Sequence, residues 1–108
     1  MAYDEALTQR FRLAVADQEG ITDKRMMGGV CFLYQGNMLG GADKGRFMFR
    51  VGKANEVEAL SRPGASAMEL GGRKMSGLIF VDEHAVDDTV LRQWIDLAMT
   101  FVATLPAK

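Results

Sequence analysis

Lys24-Arg25-Met26-Met27-Gly28-Gly29-Val30-Cys31-Phe32-Leu33-Tyr34-Gln35-Gly36-Asn37-Met38-Leu39-Gly40-Gly41 is the stretch whose reading decides the fold. Two glycine pairs bracket an apolar run and a Gly36-Asn37 turn. The pattern predicts two strands in a tight hairpin, with glycine where backbones bend or come close. Residues 25–34 read as one strand, bent at Gly28-Gly29, and residues 37–42 as its partner.

Upstream, Tyr3, Leu7, Phe11 and Ala14 recur at helical spacing, so residues 4–19 read as an amphipathic helix capped by Asp4 and ended by Gly20. Residues 21–23 then turn the chain. Downstream of the hairpin, Asp43-Lys44-Gly45 is a turn, and residues 46–51 alternate cleanly. Phe47, Phe49 and Val51 share one face, and Arg46, Met48 and Arg50 share the other. Ala54, Val57 and Leu60 mark a short helix that must stop before Pro63. Residues 67–70 and 75–81 read as strands joined at Gly71-Gly72. The second is apolar on both faces through Leu78, Ile79, Phe80 and Val81. Val90, Leu91, Trp94, Ala98, Phe101, Val102 and Leu105 trace a last helix over residues 87–105. The sum is helix, three strands, helix, two strands, helix. Strands in runs joined by hairpins favour an α+β fold of two layers, with a five-stranded antiparallel sheet and helices on one face. Leu7, Phe11, Phe47, Phe49, Leu78, Phe80, Trp94, Ala98 and Phe101 are the expected core.

A chain of 108 residues with 48% hydrophobic content can bury one core, so a single domain over 1–108 is expected. No apolar run nears the ~20 residues of a membrane span, and the start lacks the features of a leader, so a cytoplasmic protein is expected. The lone cysteine, Cys31, has no internal disulfide partner. The net charge of −1 argues against a dedicated nucleic-acid binder. Its distribution is uneven. Residues 1–23 carry two basic and five acidic side chains (net −3), residues 24–74 nine and four (+5), and residues 75–108 two and five (−3).

Residues 24–32 with Met26, Gly28, Gly29 and Phe32; Gly36-Asn37-Met38; Arg50-Val51-Gly52; Arg62-Pro63-Gly64-Ala65 with Met68; and Gly72-Arg73-Lys74-Met75-Ser76-Gly77 follow one another as ordered motifs. Together they resemble the N-terminal domain of the TfoX/Sxy competence regulators. Met27 stands where phenylalanine is commoner. The resemblance implies an αβββαββα fold similar to secretion chaperones and a role in regulating competence and transcription. The regulators carry a further C-terminal helical domain, so this chain resembles a free-standing N-terminal domain.

The chemistry-bearing residues are few. Cys31 and His84 are the obvious nucleophile and base candidates, but a mid-strand thiol packs as a small apolar group, so no enzyme activity is expected. Asp82, Glu83, His84, Asp87 and Asp88 suit capping of the last helix better than a metal site. The glycine pairs lack the strand-to-helix setting of a phosphate loop, and no cofactor or metal is expected. The expected function is a non-enzymatic interaction or regulatory module acting through protein contacts. The alternative is a DNA-associated transcription regulator. A helix-turn-helix needs two helices joined by a short turn, and here strands separate every pair, so specific duplex DNA binding is not expected.

Three helices cover only one face of a sheet, yet residues 30–34 and 78–81 are apolar on both. Arg46, Met48 and Arg50 are the candidate partner-binding row, with a second copy of the chain or another protein as the expected cover.

Overall fold

The computed structural model describes residues 4–26 and 28–108. Tyr3 and Met27 lie outside the described residues. The chain runs α1 (Glu5–Ala14), β1 (Ile21–Met26), β2 (Gly29–Tyr34), β3 (Asn37–Asp43), β4 (Arg46–Arg50), α2 (Glu56–Leu60), β5 (Ala65–Leu70), β6 (Arg73–Asp82) and α3 (Asp88–Val102). It is an α+β fold with an open antiparallel sheet of six strands, in the order β1-β2-β3-β4-β6-β5. The expected five strands become six because residues 21–34 form a hairpin, where a turn at 21–23 and one bent strand over 25–34 are expected; Met26 lies opposite Gly29 and Ile21 opposite Tyr34. Gly28 sits at the reversal with φ +78°, a conformation that glycine adopts at no steric cost.

The other reversals follow local chemistry. Gln35 and Gly36 both have positive φ, at 50° and 85°, as the two central residues of a type I′ hairpin turn do, so the β2–β3 turn lies one residue before the expected Gly36-Asn37. Gly71 and Gly72 join β5 to β6 in the same conformation, as their sequence suggests. Asp4 caps α1, its Oδ1 accepting the Ala6 and Leu7 amides at 3.0 and 3.2 Å. That helix ends at Ala14 rather than near Glu19, and Val15 beyond it is still buried.

The helices pack on one face of the sheet. Phe32, Gly40, Phe49 and Ile79 lie in register across β2, β3, β4 and β6, as do Val30, Ala42, Phe47 and Val81. Gly40 has no side chain, and Phe11 of α1 stacks on both of its neighbours, Phe32 at 4.7 Å and Phe49 at 5.9 Å between ring centroids. Trp94 of α3 stacks on Phe49 at 5.2 Å. Leu7, Phe11, Phe47, Phe49, Trp94 and Ala98 are core residues as expected, and Phe101 is partly buried against them. Leu78 and Phe80 are not part of this core. The register puts Ile79 and Val81 on the helix side, and Leu78 and Phe80 point to the other face. The short-helix stripe also needs correction: Val57 is 84% exposed, and α2 turns Glu56 and Ala59 inward instead.

Candidate partner-binding face

The face of the sheet away from the helices carries a second, smaller core. Cys31, Gly41, Met48, Phe80 and Ser66 are successive partners across five strands. Cys31, Met48, Met68 and Phe80 are buried together, and Met26, Met38, Met75 and Leu78 pack against them partly exposed. Gly41 leaves a gap between Cys31 and Met48. A Cβ there would overlap the Val30 carbonyl oxygen, so the strands approach too closely for any other residue. Methionine suits such an irregular surface because its unbranched, polarizable chain fills gaps that branched residues cannot.

Met48 therefore has no exposed surface. The expectation of an open apolar row at Arg46, Met48 and Arg50 is corrected in that respect, because the chain's own methionines cover Met48. Its two arginine neighbours remain at the surface. The Arg46 guanidinium lies 3.5 Å from the centroid of the Phe80 ring, and its Nε donates to Asp43 Oδ1 at 2.9 Å while Nη2 donates to Oδ2 at 3.2 Å. Arg46 thus closes one end of the methionine cluster. Arg50 lies at the other side of Met48 along β4, with its guanidinium 5.5 Å from the ring centroid of Phe101, a residue of α3 on the helix side. Lys24 pairs with Cys31, which puts it on this same face, and Arg73 shares the face of Met75 two residues on.

Burial of Cys31, with the nearby Asp43 carboxylate, pushes its thiol up to about 11. It is protonated at neutral pH and unsuited to nucleophilic attack. His84 is exposed in a turn over residues 83–85. The acidic group around it caps and pairs: Asp82 Oδ1 accepts the His84 amide at 2.8 Å, Asp87 Oδ1 accepts the Val90 amide at 2.8 Å, and Asp88 lies 3.4 Å from Arg10. Among the described residues, no helix is long and apolar enough to cross a membrane.

The residues of the sequence motifs fall into three groups. Met26, Met38 and Met75 line the outer cluster, whereas Phe32 belongs to the helix-side core. Gly28, Gly29, Gly36, Gly72 and Arg73 form or adjoin the hairpin reversals. Asn37 is buried, its Nδ2 donating to the Pro106 carbonyl at 2.9 Å, and Lys108 donates its amide to the Gln35 carbonyl at 2.8 Å, so residues 106–108 lie along the β2–β3 turn. Gly77, with φ +80°, is the third group with Glu56, a residue that sequence reasoning missed. Glu56 Oε2 accepts the Gly77 amide at 2.6 Å, and Lys74 Nζ lies 2.7 Å from Oε1. The Lys74 hydrogen bond first, and the Gly77 amide next, hold the Glu56 carboxyl below its ordinary range. The Gly77 carbonyl in turn accepts the Val51 and Gly52 amides at 2.9 and 3.2 Å. Nothing in the spacing around Glu56 signalled this, since Val57 beside it gave the stronger apolar pattern.

The family model described as TfoX N-terminal domain matches residues 14–102, most of the chain and all of the sheet. The chain belongs to that family. TfoX N-terminal domain membership suggests a competence-related regulatory module, and the family is not known as an enzymatic one. Among curated proteins and among solved structures, nothing matches, and the likeness to secretion chaperones gains no support from them.

Proposed function

We propose that this TfoX N-terminal domain is a non-enzymatic regulatory module that acts through protein contacts made by the outer face of its sheet. The family match over residues 14–102 carries the regulatory part of the reading. The contact part is supported by that face itself, where partly exposed Met26, Met38, Met75 and Leu78 lie beside Arg50 and Arg73. Methionine and arginine are both enriched at protein interfaces, and a Met-lined surface adapts its shape to what it meets. The work is then done by whatever protein docks there.

The test is affinity capture from an extract of the source cells, with the parent chain and a Met38→Glu/Arg50→Glu variant as baits. Both residues are partly exposed, so the variant keeps the buried Met48 and Cys31 intact. The expected result is a protein retained by the parent and lost by the variant while the two melt alike. Identical captures by the two baits overturn the reading. A gel-retardation series at rising salt, run beside it, addresses the DNA-associated alternative: specific retardation of one promoter fragment against competitor DNA would favour that alternative.

A further inference from the structure

We infer that the outer sheet face receives an acidic amphipathic segment of a partner protein, its apolar side on the methionines and its carboxylates on the basic rim. The inference rests on the protein-contact reading above and goes on to name the chemistry of the partner.

The charges fix the choice of occupant. The fold sorts the uneven charge of the sequence into layers. Asp4, Glu5, Asp17 and Glu19 lie in or beside α1, and Asp87, Asp88 and Asp96 in or beside α3, all on the helix side. The outer face instead carries Lys24, Arg46, Arg50 and Arg73. Its acids, Asp43 and Asp82, are both register partners of Arg46 and sit together at one end. Arg46 is already held by Asp43 and Phe80. Arg50, the register partner of Leu78, has its guanidinium 5.5 Å from the Phe101 ring of α3, so the exposed cations left on this face are Lys24, opposite Cys31, and Arg73, two residues before Met75. From β1 to β6 the face spans four strand intervals, about 19 Å. That is wide enough for one helix, about 10–12 Å across.

A second copy fits poorly. A two-fold dimer through this face would bring two basic rims together, and the basic face of one copy against the acidic helix layer of another would make an open chain rather than a closed pair. Single-stranded nucleic acid fits poorly as well, since stacking needs open aromatic faces and the one aromatic ring of the cluster, Phe80, is buried under the Arg46 guanidinium. An acidic segment with a row of leucine or phenylalanine side chains satisfies both the charge and the apolar floor.

The test uses the full chain labelled with ¹³C at its methionine methyls. The probe is a synthetic peptide of about five helical turns, with Leu and Phe at i, i+3, i+4 and i+7 and Glu elsewhere. Its counterpart carries Lys for every Glu, and a thymidine oligonucleotide is the third probe. The expected result is that the Glu peptide shifts the Met26, Met38 and Met75 methyls and leaves Met99 of α3 unmoved. Lys24→Glu/Arg73→Glu, at two exposed positions, should weaken it about tenfold at unchanged melting temperature, the scale of losing two surface charge pairs. Equal or tighter binding of the Lys peptide overturns the inference. So do tighter binding of the oligonucleotide at the same methyls, outer-methyl shifts that grow with protein concentration alone, and an absence of shifts with the Glu peptide. If capture by the parent chain still depends on Met38 and Arg50 while the Glu peptide fails, the protein-contact reading stands and only the partner chemistry falls.

Discussion

The Glu56 carboxylate accepts the Gly77 amide at 2.6 Å and so fastens α2 to β6 at the residue whose φ is +80°. Lys74 and Ser76 approach the same carboxylate, at 2.7 and 3.4 Å. Because Glu56 is held below its ordinary value of 4.5, its contribution to stability is complete above that pH and is lost as pH falls through the folded-state value. Glu56→Gln should melt lower than the parent at pH 7, and the gap should close progressively below about pH 4.5. Thermal melts of both proteins across pH 3 to 7 check this. A gap that stays constant across the range would mean that the charge of Glu56 contributes nothing.

The glycines separate into those that need space and those that need only a conformation. Gly41→Ala forces a Cβ onto the Val30 carbonyl, so the strands beside Cys31 and Met48 must part, at a cost of about 1–3 kcal/mol. Gly71 has φ +59° and no neighbour within 4 Å of an added Cβ, and asparagine tolerates that region. Gly71→Asn should therefore be close to neutral in urea denaturation, with Gly41→Ala clearly destabilised. The reverse order would contradict the close approach of β2 and β3.

What could be read from the sequence depended on whether a residue's pattern pointed one way. Phe47 and Phe49 alternate with arginine and methionine, so the alternation alone assigns their face. Residues 78–81 are apolar throughout and carry no parity. Only the register with β4 shows that Ile79 and Val81 face the helices. Gly28-Gly29 marked a break in extended chain, but a bend and a reversal have the same local signature, and the count of strands turned on that difference. The alternation of residues 46–51 places Met48 on the outer face but carries no sign of its burial, because covering it depends on Met68 from a distant hairpin and on the close approach at Gly41. The Glu56 carboxylate turns inward to serve a backbone amide twenty-one residues away, a distance at which sequence spacing carries no information.

Trp94 tests the helix-side core. It is 1% exposed and stacked on Phe49, with the Arg62 guanidinium 5.0 Å from its ring centroid. Trp94→Ala should cost about 3–5 kcal/mol, a large part of the ~5–15 kcal/mol of a domain. Val57→Ser, on the exposed side of α2, should change stability by less than about 0.5 kcal/mol. Denaturant titrations of the two variants against the parent decide whether the stripes are assigned to the correct sides.

Cys31 reports on the outer cluster without any ligand. It lies between Lys24 and Gly41 across the sheet, is fully buried beneath the methionines, and has its thiol pushed up to about 11. The thiolate is the reactive form, so burial and the raised value both slow alkylation. Iodoacetamide at pH 8 should label the native chain far more slowly than the urea-unfolded chain. Since the folded state favours the neutral thiol, the associated stability is complete below the ordinary value of 9.0 and is lost as pH rises from there toward 11. The parent should therefore lose more stability than Cys31→Ala between pH 8 and pH 10.5. Rapid native labelling, or equal losses in the two proteins, would show that the methionine cluster does not seal the outer face.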